Sequence, residues 1–155
     1  MKLIRGGIVV TSKEDFRADV LIDGEKIVSV EPGIQPGPSD EVIDASGLLV
    51  FPGFIDVHTH FDMDNGVTVT ADDFESGTRA AIAGGTTAIV DFATQDRGGT
   101  LSDALAAWHK KADGKCYSDY GFHMAITDWN GNVRAELPKM FEAGVTSFKL
   151  YMAYD

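Results

Sequence analysis

Phe54-Ile55-Asp56-Val57-His58-Thr59-His60 is an apolar run that ends in two histidines one residue apart, and its reading decides the fold. Side chains alternate across a strand, so His58 and His60 are expected to point to the same side, roughly 6–7 Å apart along it. Two imidazoles on one face at the end of a buried strand are well placed to hold a metal ion. Imidazole suits zinc and other borderline transition metals. The competing reading is two unrelated polar residues in a loop after a strand. Phe51-Pro52-Gly53 in front of the run weighs against it, because it marks a turn feeding a buried strand with an open polar end.

Beyond this strand the pattern alternates between β and α. Thr70-Ala71-Asp72-Asp73 reads as a helix start, followed by Phe74, Thr78, Ala81 and Ile82 at helical spacing and Gly84-Gly85 as a stop. Thr86–Phe92 is a nearly continuous apolar strand, as expected when both faces are buried in a parallel sheet. Thr100-Leu101-Ser102-Asp103 opens a second helix with Leu101, Ala104, Leu105 and Trp108 on its apolar side. His109-Lys110-Lys111 suits its carboxyl end. Tyr120–Ile126 is a third strand. A third helix runs to Ala143, and Pro138 fits best in its first turn. Thr146–Met152 is a fourth strand. Four such steps predict a parallel barrel or an open α/β sheet. No Gly-x-Gly-x-x-Gly follows the first strand, which counts against dinucleotide binding.

Before residue 50 short strand signals dominate. Leu3-Ile4 and Ile8-Val9-Val10 flank a Gly-Gly. Asp19–Ile22, Asp23-Gly24 and Lys26–Val30 form a hairpin signature. Pro32 to Ser39 is a loop, and Val42–Ala45 and Leu48–Val50 are further short strands. Residues 1–50 are therefore expected to form a small β-unit, too small to bury much surface alone, and residues 51–155 an α/β unit.

The chain of 155 residues is 44% apolar and 24% charged, within the range of soluble globular proteins. Its net charge of −11 argues against nucleic acid and anionic membrane as partners, since both call for basic patches. No apolar run approaches a membrane span, and Arg5-Gly6-Gly7 comes too soon for a signal-peptide core. Cys116 is the single cysteine, so no intramolecular disulfide forms. The expected location is cytoplasmic.

The fourth strand, Ser147-Phe148-Lys149-Leu150-Tyr151-Met152, sets a lysine among apolar neighbours. One reading is a surface lysine. The other is a buried amine whose pKa burial depresses, leaving it free to react with carbon dioxide. The resulting carbamate carries two oxygens and a negative charge, suited to bridging two metal cations about 3.5–4 Å apart.

Phe51–His60 resembles the first-strand motif of the amidohydrolase superfamily. From there to Lys149-Leu150-Tyr151-Met152-Ala153-Tyr154 the chain resembles the dihydropyrimidinase/D-hydantoinase family, as an amino-terminal portion of it. The likeness spans essentially the whole sequence, including Asp72-Asp73-Phe74-Glu75-Ser76-Gly77-Thr78, Ala83-Gly84-Gly85-Thr86-Thr87 and Ser147-Phe148-Lys149. It implies an α/β fold: the first half of a (β/α)8 TIM-type barrel, preceded by part of a small β-sandwich built from both chain ends. It implies two zinc ions per subunit, one held by His58 and His60, both bridged by a carbon dioxide-derived carbamate on Lys149. Tyr154 falls on the family tyrosine that hydrogen-bonds the substrate carbonyl and its oxyanion. A hydroxide bridging the zinc ions would open a dihydropyrimidine or 5-substituted hydantoin to an N-carbamoyl amino acid. The family also implies a homotetramer.

Several positions keep two readings. Met63 and Tyr151 either line the substrate pocket or pack. Asp56 and Asp91 either support the ligands from behind or cap strand ends. His109 is read as a solvated residue at a helix end, and His123 as a satisfied core histidine. Neither replaces the two histidines and the aspartate that family members carry beyond the position of Asp155. Residues 1–155 are accordingly expected to be incomplete and inactive alone. The alternatives to a cyclic amidase are a non-catalytic interaction protein of the same fold and an allantoinase- or dihydroorotase-like enzyme.

Overall fold

The computed structural model describes residues 1–152, which fall into two compact units, Met1–Pro52 and Gly53 onward. Tyr154, the expected oxyanion donor, lies outside the described residues.

The first unit is a mixed sheet of β1 (Lys2–Val10), β2 (Asp15–Asp23), β3 (Lys26–Glu31), β4 (Glu41–Asp44) and β5 (Leu49–Val50). The order is β3-β2-β1-β4, with β5 also pairing β1. The Gly-Gly expected to separate two strands instead sits inside one. β1 continues through a bulge between Ile4 and Gly7, where Gly6 takes a φ of +78° that costs a glycine little. The buried Asp19 carboxylate pins this bulge. It accepts from the backbone N–H of Gly6 at 2.7 Å, and from those of Gly33 and Ile34 at 3.0 Å each.

The second unit runs β6 (Phe54–Thr59), α1 (Phe74–Ala83), β7 (Thr86–Thr94), α2 (Leu101–Ala112), β8 (Asp119–Ile126), α3 (Gly131–Glu142) and β9 (Phe148–Leu150). All neighbouring strands are parallel and follow chain order, β6-β7-β8-β9. Parallel strands in sequence order with a helix between each pair make one half of a (β/α)8 barrel. The core lies between sheet and helices, where Phe74, Ile89, Leu101, Trp108, Met124, Val133 and Met140 are buried. Each large apolar side chain so buried contributes about 1.5–3 kcal/mol. Among the described residues no helix is long and apolar enough to cross a membrane.

The helix starts are set by side-chain caps. Asp73 accepts from Ser76 N at 2.7 Å, and Ser76 Oγ accepts in return from Asp73 N, so the capping box lies one turn later than Thr70. Thr100 accepts from Asp103 N. Asn130 accepts from Asn132 N and Val133 N, which starts α3 well before Pro138. Pro138 therefore stands inside the helix and not in its first turn. It removes one intrahelical bond, and the cap and the buried Val133 and Met140 hold the helix across the gap.

One expectation about β6 is overturned. Its apolar residues are not buried: Ile55 is 66% and Val57 59% exposed. Among the described residues β6 is an edge strand, paired with β7 alone. α1 comes close to the chain after β6 through Gly77, where a Cβ would stand 2.3 Å from Phe61 Cε1. Phe61 in turn meets Phe74 edge-on, with ring centroids 5.7 Å apart.

Candidate metal centre

The carboxyl end of β6 is shaped by a bulge. Asp56 pairs with Ile89 and Thr59 with Asp91, so Val57 and His58 together stand opposite the single residue Val90. The regular ladder is interrupted here, and side chains take over its duties. Asp56 Oδ1 accepts from the His58 N–H at 3.0 Å. Asp91 Oδ1 accepts from the Phe92 N–H at 2.7 Å. The Val57 carbonyl accepts from His123 Nε2 at 2.9 Å.

This geometry brings the two imidazoles together. The His58 and His60 rings are 5.1 Å apart and nearly perpendicular. Both lie against Phe92, at 4.6 and 5.0 Å between centroids. Lys149, from β9, reaches the same ring, with Nζ 4.4 Å from the Phe92 centroid and 5.0 Å from that of Tyr151. Lys149 is half-buried, not enclosed, and no carboxylate pairs with it among the described residues. Its Nζ lies over two aromatic faces, which offer their electron-rich sides to it.

His60 carries the clearest sign of a missing partner. Its Nδ1 is buried and has no hydrogen-bond partner among the described residues. Burial pushes the His60 pKa down, and the nearby Lys149 and His58 push the same way, while Asp91 opposes them. The shift favours the neutral ring, the form that offers a lone pair to a metal. An orphaned ring nitrogen beside a second imidazole and a lysine amine fits a metal ion. Among the described residues no three His, Cys, Asp or Glu side chains converge, so a metal at His58 and His60 would need Lys149 or further donors as well.

Asp91 is placed differently from a strand-end acid. β7 runs on to Thr94, and Asp91 is fully buried. Its Oδ2 accepts from Thr59 Oγ1 at 2.9 Å and from Phe61 N at 2.8 Å, bracketing His60. Its Oδ1 also accepts from Trp108 Nε1 at 3.1 Å. Asp91 thus supports the end of β6, whereas Asp56 among the described residues accepts from the local backbone N–H of His58. Met63 is half-buried in the loop after β6, its N–H donating to Thr70 Oγ1 at 2.9 Å. Tyr151 faces the Lys149 amine. His109 is paired with Asp113, 3.0 Å away, on the far end of α2. Asp113 also accepts from Tyr120, whose pKa that bond pushes up to about 12.

The reading of the sequence missed Phe92, the ring on which the candidate donors converge. Its only signal was its place next to Asp91 near the end of an apolar strand. Its contacts depend on the pairing of Phe92 with His123 across β7 and β8.

Residues 41–135 match the model of the amidohydrolase family. The D-hydantoinase of Geobacillus stearothermophilus is 51% identical over 154 residues, covering 99% of this chain and 32% of that protein. The D-hydantoinase of Streptomyces coelicolor is 49% identical over 156 residues, covering 98% and 33%. The crystal structure of dihydropyrimidinase from Brevibacillus agri superposes with a TM-score of 0.95 at 50% identity, covering 99% of this chain and 33% of that one. The chain spans about a third of the length of these relatives.

Proposed function

The chain belongs to the amidohydrolase family, and from that membership we propose that it carries the first metal-binding strands of a metal-dependent cyclic amidase. Its substrate class is the dihydropyrimidines and 5-substituted hydantoins, opened to N-carbamoyl amino acids. His58, His60 and a carbamate on Lys149 would together contribute to holding a zinc pair. The carbamate forms from the neutral amine: the nitrogen lone pair bonds to the carbon of carbon dioxide, one C=O π pair moves onto oxygen, and the nitrogen gives one proton to solvent, with no change of oxidation state. When bound, the metal pair supplies Lewis acidity and activates water at neutral pH.

The chain's own residues prepare and exclude. Phe92 floors the site with an apolar ring, which keeps water from beneath the donors. The lowered pKa of His60 favours the form of its ring that presents a lone pair. Tyr151 packs against the lysine amine and, with Met63, borders the space where a ring substituent would sit. Tyr154 would donate its hydroxyl to the amide oxygen as negative charge grows there. The ring amide is the reacting bond, so linear peptides are poor substrates. A homotetramer in the cytoplasm is part of the same reading.

The observation that carries this proposal is the convergence of His58, His60 and Lys149 on one phenylalanine, with a buried imidazole nitrogen left unpartnered. The test is metal analysis of the full-length protein together with hydrolysis of dihydrouracil and a 5-substituted hydantoin. Two zinc ions per subunit and ring opening are expected. Turnover restricted to dihydroorotate or allantoin would overturn the substrate class.

A further inference from the structure

β6 and β9 stand at opposite edges of the four-stranded sheet, with β7 and β8 between them. Among the described residues no backbone ladder joins them, so none directly sets the distance between the histidine pair on β6 and Lys149 on β9. The β6–β7 ladder is also interrupted at Val57 and His58. Some other link has to fix this separation if the donors are to meet one metal pair in one geometry.

His123 makes that link. It lies on β8, yet its Nε2 is 2.9 Å from the Val57 carbonyl on β6, one residue before His58. A carbonyl only accepts, so Nε2 carries the hydrogen and donates. In the neutral ring Nδ1 is then the acceptor, and it is in contact with Ser147 Oγ, which donates. Ser147 lies two residues before Lys149, and its carbonyl also accepts from Met124 N at 3.0 Å. The same imidazole lies 4.8 Å from the Phe92 ring that meets both histidines and the lysine.

We propose that His123 is a positioning residue of the metal centre, a side-chain brace that ties the backbone before His58 to the strand carrying Lys149. This rests on the reading of His58, His60 and Lys149 as metal donors. An ordinary satisfied histidine bonds to its own surroundings. This one bonds across strands that do not pair, at the point where the backbone ladder fails. Both of its nitrogens are spent on the brace, so it is not itself a metal donor. Residues behind metal ligands set ligand orientation, and their loss typically costs about 10–100-fold in metal affinity.

The experiment uses the full-length protein with zinc and with cobalt(II). Zinc affinity is measured by chelator competition, and the cobalt form by its visible absorption spectrum. His123→Ala is expected to weaken zinc binding about 10–100-fold and to shift the cobalt spectrum. His123→Gln keeps an amide N–H that reaches toward Val57 and is expected to recover most of the affinity and the spectrum. Ser147→Ala is expected to move both readouts in the direction of His123→Ala. A purely structural role would lower the melting temperature and leave the cobalt spectrum alone. If His123→Ala fails to fold, Ser147→Ala decides. Wild-type affinity and spectrum in His123→Ala, or in Ser147→Ala, would overturn the brace while leaving the donor assignment intact. Full metal loading in Lys149→Ala would instead overturn the donor assignment, and the brace with it.

Discussion

Trp108 Nε1 donates to Asp91 Oδ1 at 3.1 Å, so a helix on the outer side of the sheet holds the buried acid that steadies the end of β6. The other Asp91 oxygen takes Thr59 Oγ1 and Phe61 N, on either side of His60. Trp108→Phe keeps most of the packing and removes one donor from a buried carboxylate. The expected loss is about 1–3 kcal/mol of stability. Urea unfolding of the full-length variant measures it. An unchanged midpoint would show that Oδ1 needs only the Phe92 N–H.

Lys149 supplies the next prediction. In the full-length protein it is expected to carry the added mass of one carbon dioxide, and Lys149→Ala to lose most bound metal. Short carboxylic acids added to that variant are expected to restore part of the activity. Intact-mass measurement under non-acidic conditions and metal analysis decide the matter. An unmodified lysine beside two filled zinc sites would rule it out.

Tyr154→Phe is expected to lower the rate of dihydrouracil opening by about 10²–10³, the usual effect of removing one oxyanion donor. Substrate binding is expected to change less, because the charge it serves appears only as the reaction proceeds. A wild-type kcat in this variant would remove Tyr154 from the reaction.

Asp19 gives the first unit an acid-sensitive tie. The Gly6 N–H lowers its pKa most, burial opposes this, and the Ile34 and Gly33 N–H groups add to the lowering. Its folded pKa lies below the unfolded value of about 3.9. The stability it contributes is therefore present above about pH 4 and is lost as pH falls through the folded pKa. Asp19→Asn is expected to cost about 1–3 kcal/mol at neutral pH and to flatten the acid limb of the stability curve. A parallel acid limb in wild type and variant would sink the assignment.

Residues 1–155 expressed alone are expected to self-associate and to bind zinc weakly. Ile55 and Val57 are exposed on an edge strand, and such edges recruit other chains. Sedimentation velocity and zinc titration provide the check. A monomer holding two tight zinc ions would contradict both halves of this expectation.

Much of the site was legible because it follows from short-range spacing. His58 and His60 lie two apart, and Lys149 interrupts an apolar strand. What stayed hidden depends on pairing between strands. The extra residue at Val57 and His58 appears only once β6 is aligned with β7, and the partners of His123 only once four strands are in order. A strand expected over Thr86–Phe92 puts Asp91 near its end, but pairing with β8 carries β7 on to Thr94. Pro138 was assigned to a first turn on its local preference. The Asn130 cap eight residues earlier outweighs that preference.

Gly77 contributes no donor, charge or acid, yet the fold leaves no room for it to be anything larger. A methyl group there would collide with the Phe61 ring, one residue beyond His60. The tolerance of the centre is thus set partly by an absence of atoms on a neighbouring helix. A mutational scan judged by chemistry alone would pass over Gly77. One judged by volume would find it, because any larger residue there has to displace the Phe61 ring.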